Sequence, residues 1–298
     1  MLADSGAVLT WNLARDVSQL LQFHFMVNAF RAGTAVAIAS AAVGWFMVLR
    51  QQTFAGHTLA VVGFPGASAA VWLGVSAGFG FFGFCIATAL VIAMLPRTTG
   101  SGSGGSGSGE ESAVIGTVQA FALAAGFLFV SLYGGFLNGV TSLLFGSFLG
   151  ITDAQVAVLV VVAAIAIVVL AVLRRPLLFA SVDPDVASAR GVRDRLLSTV
   201  FLVVLAVAVA EASQITGALL VFALLVIPAA AAQVLTARPG LSFSLAVVFA
   251  VGITWAGLAC AYYSPYPVGF WTTSIAFATY VVARLVAARA TRGVRVAS

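Results

Sequence analysis

The chain has stretches longer than a bilayer is thick that carry no charged side chain. No Asp, Glu, Lys or Arg lies between Arg50 and Arg97, and between Arg195 and Arg238 the single interruption is Glu211. A hydrocarbon core about 30 Å thick is crossed by ~20 apolar residues of helix. In water, runs of this kind could not be covered: 62% of residues are apolar and 8% charged, against about 45–50% and about 25% in soluble domains. Within lipid the backbone must satisfy its own hydrogen bonds, which leaves helices or closed barrels. The runs lack the alternation of strands, so an all-α, polytopic integral membrane protein is expected.

The apolar runs place spans near 25–49, 57–74, 75–96, 113–134, 155–173, 197–213, 215–237, 241–263 and 268–288. Eight or nine transmembrane helices are therefore expected. Two divisions rest on turn residues: Gly74, Gly78 and Gly80 within 57–96, and Ser213, Gln214 and Gly217 within 197–237. Pro65-Gly66 and Pro228 lie inside apolar runs and are expected to kink their helices, since proline removes a helical donor. The Gly74-xxx-Gly78 spacing also permits close helix approach. Residues 1–22 read as an N-terminal extramembrane segment without the basic start and apolar core of a signal peptide. Residues 23–290 form the transmembrane domain and 291–298 a basic tail, while 97–112 read as a flexible Gly/Ser loop ending in Glu110-Glu111.

Orientation follows from arginine. With the stretch after Arg50 in the cytoplasm, alternation also puts Arg97, the 174–195 loop, Arg238 and the tail from Arg289 to Arg295 there, leaving Arg15 and Arg31 outside. The N-terminus is then expected outside and the C-terminus in the cytoplasm of a multi-pass cell-membrane protein. Tyr262, Tyr263, Tyr266 and Trp271 flank the turn at Pro265–Pro267, as an interfacial aromatic belt does. A net charge of +5 arises from scattered single arginines, with no basic stripe for nucleic acid. Cys85 and Cys260 lie inside apolar runs, as small buried hydrophobes.

Between the fifth and sixth spans the sequence spells a short capped helix: Asp183 as N-cap, Pro184 at the first position, Asp185 in the first turn, Arg190 in the last and Gly191 as C-cap. It reads either as a plain connecting helix or as a lever for a soluble partner. Two side chains stand out inside the spans. His57, near the cytoplasmic start of the second span, carries an imidazole suited to transition metals. Glu211 is a carboxylate deep in an apolar run, where facing lipid would cost about 2.5–3.5 kcal/mol. It reads equally as a functional group or as a structural one bonded to Ser213, Gln214 or nearby backbone. His24 and Asn28, with Arg31, mark the outer start of the first span.

Five segments in order are similar to one known family: Phe-Met-Val-Leu-Arg at 46–50, Phe-Ala-Gly-His-Thr-Leu at 54–59 running on to Phe64-Pro65-Gly66, Leu-Leu-Phe-Gly at 143–146, Asp183 to Gly191, and Ala-Leu-Leu-Val-Ile-Pro-Ala-Ala at 223–230. From about residue 25 to 288 the chain resembles the permease subunits of zinc/manganese-type ATP-binding cassette importers. The resemblance implies a homodimer, two cytoplasmic ATP-binding subunits, an extracytoplasmic metal-binding protein and a divalent metal, zinc or manganese, or its complex, as cargo. It makes 183–191 the coupling helix, with Asp183, Ala187 and Gly191 on its pattern. Where the family carries Asp and, four residues on, His, this chain has His57 and Val61. The chain has no lysine and no Gly-rich phosphate loop, so no cofactor is expected on it and ATP belongs to a partner; the chain is not itself an enzyme. The rival expectations are an ion-gradient transporter using Glu211 and His57, and a scaffold that moves nothing.

Overall fold

A computed structural model describes residues 19–20, 22–94, 107–132, 150–191, 193–217 and 221–296. Among them every regular element is a helix: α1 His24–Leu49, α2 Thr53–Trp72, α3 Ala77–Met94, α4 Gly107–Leu132, α5 Asp153–Val182, α6 Pro184–Ala189, α7 Asp194–Thr216, α8 Val221–Leu235, α9 Pro239–Tyr262 and α10 Val268–Val296. Eight of these are long and apolar enough to cross a membrane; α8, at 15 residues, is a shorter apolar helix. The expected all-α membrane fold is thus observed, with eight helices of spanning length and one shorter apolar helix among the described residues. The Leu143–Gly146 stretch and most of residues 1–22 and 97–106 lie outside the described residues.

α1, α2 and α7 are the inner helices. α1 packs on α5, α7, α8 and α9, and α7 packs on α1, α2, α3 and α5. α8 is also buried along most of its length, while the remaining long helices turn apolar side chains outward: Phe79 is 74% exposed, Phe121 75% and Val172 74%. Such surface is stable against lipid and would not be in water. Between helices the backbones approach where side chains vanish. A Cβ added at Gly80 on α3 would strike the carbonyl oxygen of Gly66 on α2, and one at Gly44 on α1 would strike that of Leu225 on α8. Small residues at such crossings let van der Waals packing hold membrane helices together.

The two ends of the bundle are tied by polar groups. At one end His24 Nε2 lies 3.0 Å from Asp153 Oδ2, Asn28 Nδ2 donates to the Ile151 carbonyl at 3.2 Å, and the Phe23 and Tyr262 rings are 6.1 Å apart. α5 starts here with a capping box in which the Gln155 amide N–H donates to Thr152 Oγ1 at 3.3 Å and the Thr152 amide N–H to Gln155 Oε1 at 3.0 Å. His24 and Asn28 therefore fasten α1 to the loop before α5. At the other end Arg50 Nη2 donates to Ser198 Oγ at 2.6 Å, Trp45 Nε1 to Ser242 Oγ at 2.9 Å, and Gln233 Nε2 to the Trp45 carbonyl at 2.9 Å.

Several boundaries differ from the sequence reading. α5 continues through Pro176 to Val182, where the span was expected to close at 173, and its 30 residues reach about 45 Å, beyond the hydrocarbon layer. Apolar contacts of Leu177 and Ala180 hold the extra turns. α4 begins at Gly107, inside the expected 97–112 loop, and α10 runs to Val296, into the expected 291–298 tail. Gly74 lies in the α2–α3 turn, whereas Gly78 and Gly80 are within α3; Ser213 and Gln214 are within α7, and the break falls at Gly217, whose φ of +78° suits glycine alone. Gly74 has open space around it, so the close α2–α3 approach is made by Gly66 and Gly80 and not by the Gly74-xxx-Gly78 spacing. α2 and α8 are continuous across Pro65 and Pro228.

The α2–α3 crossing gives a direct test. Gly80→Ala is expected to lower stability by about 1–3 kcal/mol, the usual cost of overpacking, because the neighbour it meets is backbone. Gly83→Ala on the same helix meets nothing within 4 Å and is expected to leave the thermal midpoint in detergent unchanged or slightly raised. Equal midpoints for the two variants would refute the close approach.

Candidate functional site

The short helix between α5 and α7 is built by its caps. Asp183 ends α5, its amide donating to the Phe179 carbonyl at 3.0 Å, and begins α6, its Oδ1 accepting the Val186 amide N–H at 3.0 Å. A side-chain acceptor three residues before a free donor is the N-cap arrangement that the sequence spelled. Ala187 faces inward and is 1% exposed. After the Arg190 amide donates to the Val186 carbonyl at 3.1 Å, Gly191 leaves with φ +81°, the left-handed exit of a helix C-terminus. The Arg190 guanidinium stands 5.9 Å from the Phe179 ring centroid, a cation–π contact that draws the exit back onto α5. α6 packs on α5 and α7 and lies at the Arg50 end, fixed to two long helices; the side chain of Asp185 lies outside the described residues.

His57 sits one turn into α2, half-buried. Its ring meets the edge of Phe222 on α8 at a centroid separation of 5.0 Å, and its Nε2 is 3.5 Å from Gln119 Nε2 on α4. Thr58 Oγ1 lies 3.1 Å from the Phe54 carbonyl and 3.2 Å from Gln119 Oε1. Imidazole, hydroxyl and carboxamide thus converge where α2, α4 and α8 meet, with Val61 buried one turn on. Gln119 escaped the sequence reading, although a carboxamide inside an apolar run signals a partner across helices. Phe222 gave no signal.

Glu211 is fully buried on α7, and neither of its carboxylate oxygens has a hydrogen-bond partner among the described residues. Of the groups expected to satisfy it, Ser213 Oγ is buried without a partner and Gln214 Nε2 donates to the Ala210 carbonyl at 3.4 Å. Among the described residues, then, no neighbour holds the carboxylate. Among the described residues no hydrogen bond joins Glu211 to His57, and no group of three or more His, Cys, Asp and Glu side chains could hold a metal ion. Cys85 is buried, its Sγ 3.3 Å from the Leu59 carbonyl, a packing role as expected.

Among the described residues, eight helices long and apolar enough to cross a membrane, with a short capped helix between two of them, define a helical, multi-pass membrane protein. The model of the ABC 3 transport family matches residues 22–287, and this chain belongs to that family. It is 28% identical over 247 residues to a manganese transport system membrane protein, MntC, of Halalkalibacterium halodurans, covering 83% of this chain and 82% of that one. It is 28% identical over 229 residues to the chelated iron transport system membrane protein YfeC of Yersinia pestis, covering 77% and 75%. The fold matches PsaBC from Streptococcus pneumoniae in complex with Fab, with a TM-score of 0.79 and 23% identity over 91% of this chain and 95% of that one.

The isolation of Glu211 is testable by stability alone. Glu211→Gln and Glu211→Met are expected to keep the fold and raise the thermal midpoint in detergent, Met by the equivalent of about 1–4 kcal/mol, because each removes a buried carboxylate that no described group compensates. A marked loss of stability in both would show that the carboxylate has a partner.

Proposed function

We propose that this chain is the permease subunit of an ATP-driven importer for a divalent transition metal, manganese ahead of zinc. The observation that carries the reading is α6: six residues capped at both ends, packed on α5 and α7 and lying at the Arg50 end. An element packed on two long helices can convert closure of a docked motor into rocking of the bundle. Membership of a family named for transport favours this over a gradient-driven transporter or a passive scaffold. The names of the manganese and chelated-iron relatives support a transition-metal cargo, and manganese suits the hard oxygen ligands of Gln119 and Thr58.

In this reading two copies form the pathway, two ATP-binding subunits dock on the α6 helices through Asp183, Ala187 and Gly191, and an extracytoplasmic binding protein delivers the metal at the His24 end. The arginine distribution puts the N-terminus outside and the C-terminus in the cytoplasm. His57, with Gln119, touches the passing ion. Glu211 supplies negative charge along the path, while Pro65, Gly66 and Pro228 shape the helices lining it. The chain itself binds no cofactor, and ATP is hydrolysed by the partner.

Vesicles reconstituted with the cognate ATP-binding subunit are expected to take up manganese only with ATP. Asp183→Ala, which removes a cap worth about 0.5–2 kcal/mol, is expected to weaken association with that subunit and lower uptake several-fold, roughly the factor of 2–30 that this free energy represents. His57→Ala is expected to lower uptake while association stays intact. ATP-independent uptake, or ATPase activity of the purified chain alone, would refute the reading.

A further inference from the structure

The Arg50 end of α1 gathers polar and close-packed contacts from three helices. Gln233 of α8 donates to the Trp45 carbonyl, the Trp45 indole donates to Ser242 of α9, and Arg50 donates to Ser198 of α7. Gly44, one residue before Trp45, is where the α8 backbone passes. Of these ties the one to α7 involves a charged group, and a charge-assisted hydrogen bond in a low-dielectric setting is the stronger kind. It is doubled: the Arg50 guanidinium also lies 5.8 Å from the centroid of the Phe201 ring, one turn further along α7. Ser198 is 1% exposed and Phe201 0%, so water does not compete for either contact.

Both ends of this tie have consequences. On the α7 side, Ser198 lies in the second turn after Asp194, and α7 itself packs on α6. Any push on α6 therefore acts at the base of α7, beside Ser198. On the α1 side, Arg50 is the first residue of a tight corner into α2: the Gln51 amide donates to the Val48 carbonyl at 3.1 Å, the Gln52 amide to the Met47 carbonyl at 2.9 Å, and Gln51 takes a φ of +56°. A non-glycine residue in the left-handed region persists only where its surroundings over-determine it. The corner is stiff, so displacing Arg50 tilts the start of α2, and His57 is one turn further on.

We infer that Arg50, through Ser198 and Phe201, is a positioning residue that transmits movement of α6 to the α1–α2 corner and so to the His57 pathway. This rests on the proposed role of α6. One guanidinium nitrogen of Arg50, Nη2, meets the hydroxyl while the planar charge stands over the ring, two contacts that the compact ammonium of lysine could not reproduce together.

The test is transport stoichiometry in vesicles holding the complete complex, comparing Ser198→Ala, Ser198→Thr, Phe201→Leu and Asp183→Ala with wild type. Ser198→Ala and Phe201→Leu are expected to co-purify with the ATP-binding subunit and hydrolyse ATP normally, yet move roughly fivefold or more fewer manganese ions per ATP, the size of an ordinary coupling free energy. Ser198→Thr, which keeps the hydroxyl, is expected to restore the ratio. Wild-type stoichiometry in both disrupting variants overturns the inference, and so does loss of assembly in both, which would make the contact purely structural. If Asp183→Ala uncouples while these variants do not, only the Arg50 link fails. If Asp183→Ala assembles and transports normally, the α6 reading fails, whatever the Ser198 variants do.

Discussion

A hydrocarbon layer offers no hydrogen-bond partner, and the rest of the structure depends on that. Backbone groups are satisfied inside helices, while side-chain polarity collects where it can be matched: His24 with Asp153 and Asn28 with the Ile151 carbonyl at one end, Arg50, Trp45 and Gln233 at the other. Through the middle, a few polar contacts such as Trp255 Nε1 to Thr34 Oγ1 and Thr58 to Gln119 join a cohesion that comes mostly from close packing. Gly66 against Gly80, Gly44 against the Leu225 backbone and Gly257 against Thr272 bring helices closer than any side chain would allow, and dispersion summed over those seams replaces the hydrophobic effect that lipid cannot supply.

The two ends are fastened differently. The His24–Asp153 pair is largely exposed, with side chains 73% and 67% accessible, and an exposed pair contributes little; that end can loosen. At the Arg50 end, buried and part-buried ties from α7, α8 and α9 converge on α1, and that end carries α6. Glu211 departs from the pattern of matched polarity: among the described residues neither of its carboxylate oxygens has a hydrogen-bond partner.

How much could be read from the residues varies by element. The capped helix was legible to the residue, because Asp183, Pro184 and Gly191 each have a local stereochemical preference that needs no tertiary partner. The length of α5 was not: Arg174, Arg175 and Pro176 read as a span's end, yet the helix passes through them because Leu177 and Ala180 find apolar neighbours. Gly74, Gly78 and Gly80 looked alike as turn formers, and only packing separates the one in the turn from Gly80, which admits the α2 backbone. His57 was legible as an imidazole in an apolar run, whereas its partners Gln119 and Phe222 are 62 and 165 residues away and no local rule joins them.

By itself the sequence determined the solvent, the helical class, the approximate spans, the caps of α6 and the family-like order of segments, since these follow from hydrophobicity and local backbone preference. Only the tertiary structure decided which helices are central, that Gln119 and Phe222 frame His57, that Glu211 stands without a partner among the described residues, and that Arg50 reaches across to Ser198 and Phe201. Those facts are contacts between segments distant in the chain, and periodicity along one helix carries no information about which neighbour its inward face will meet.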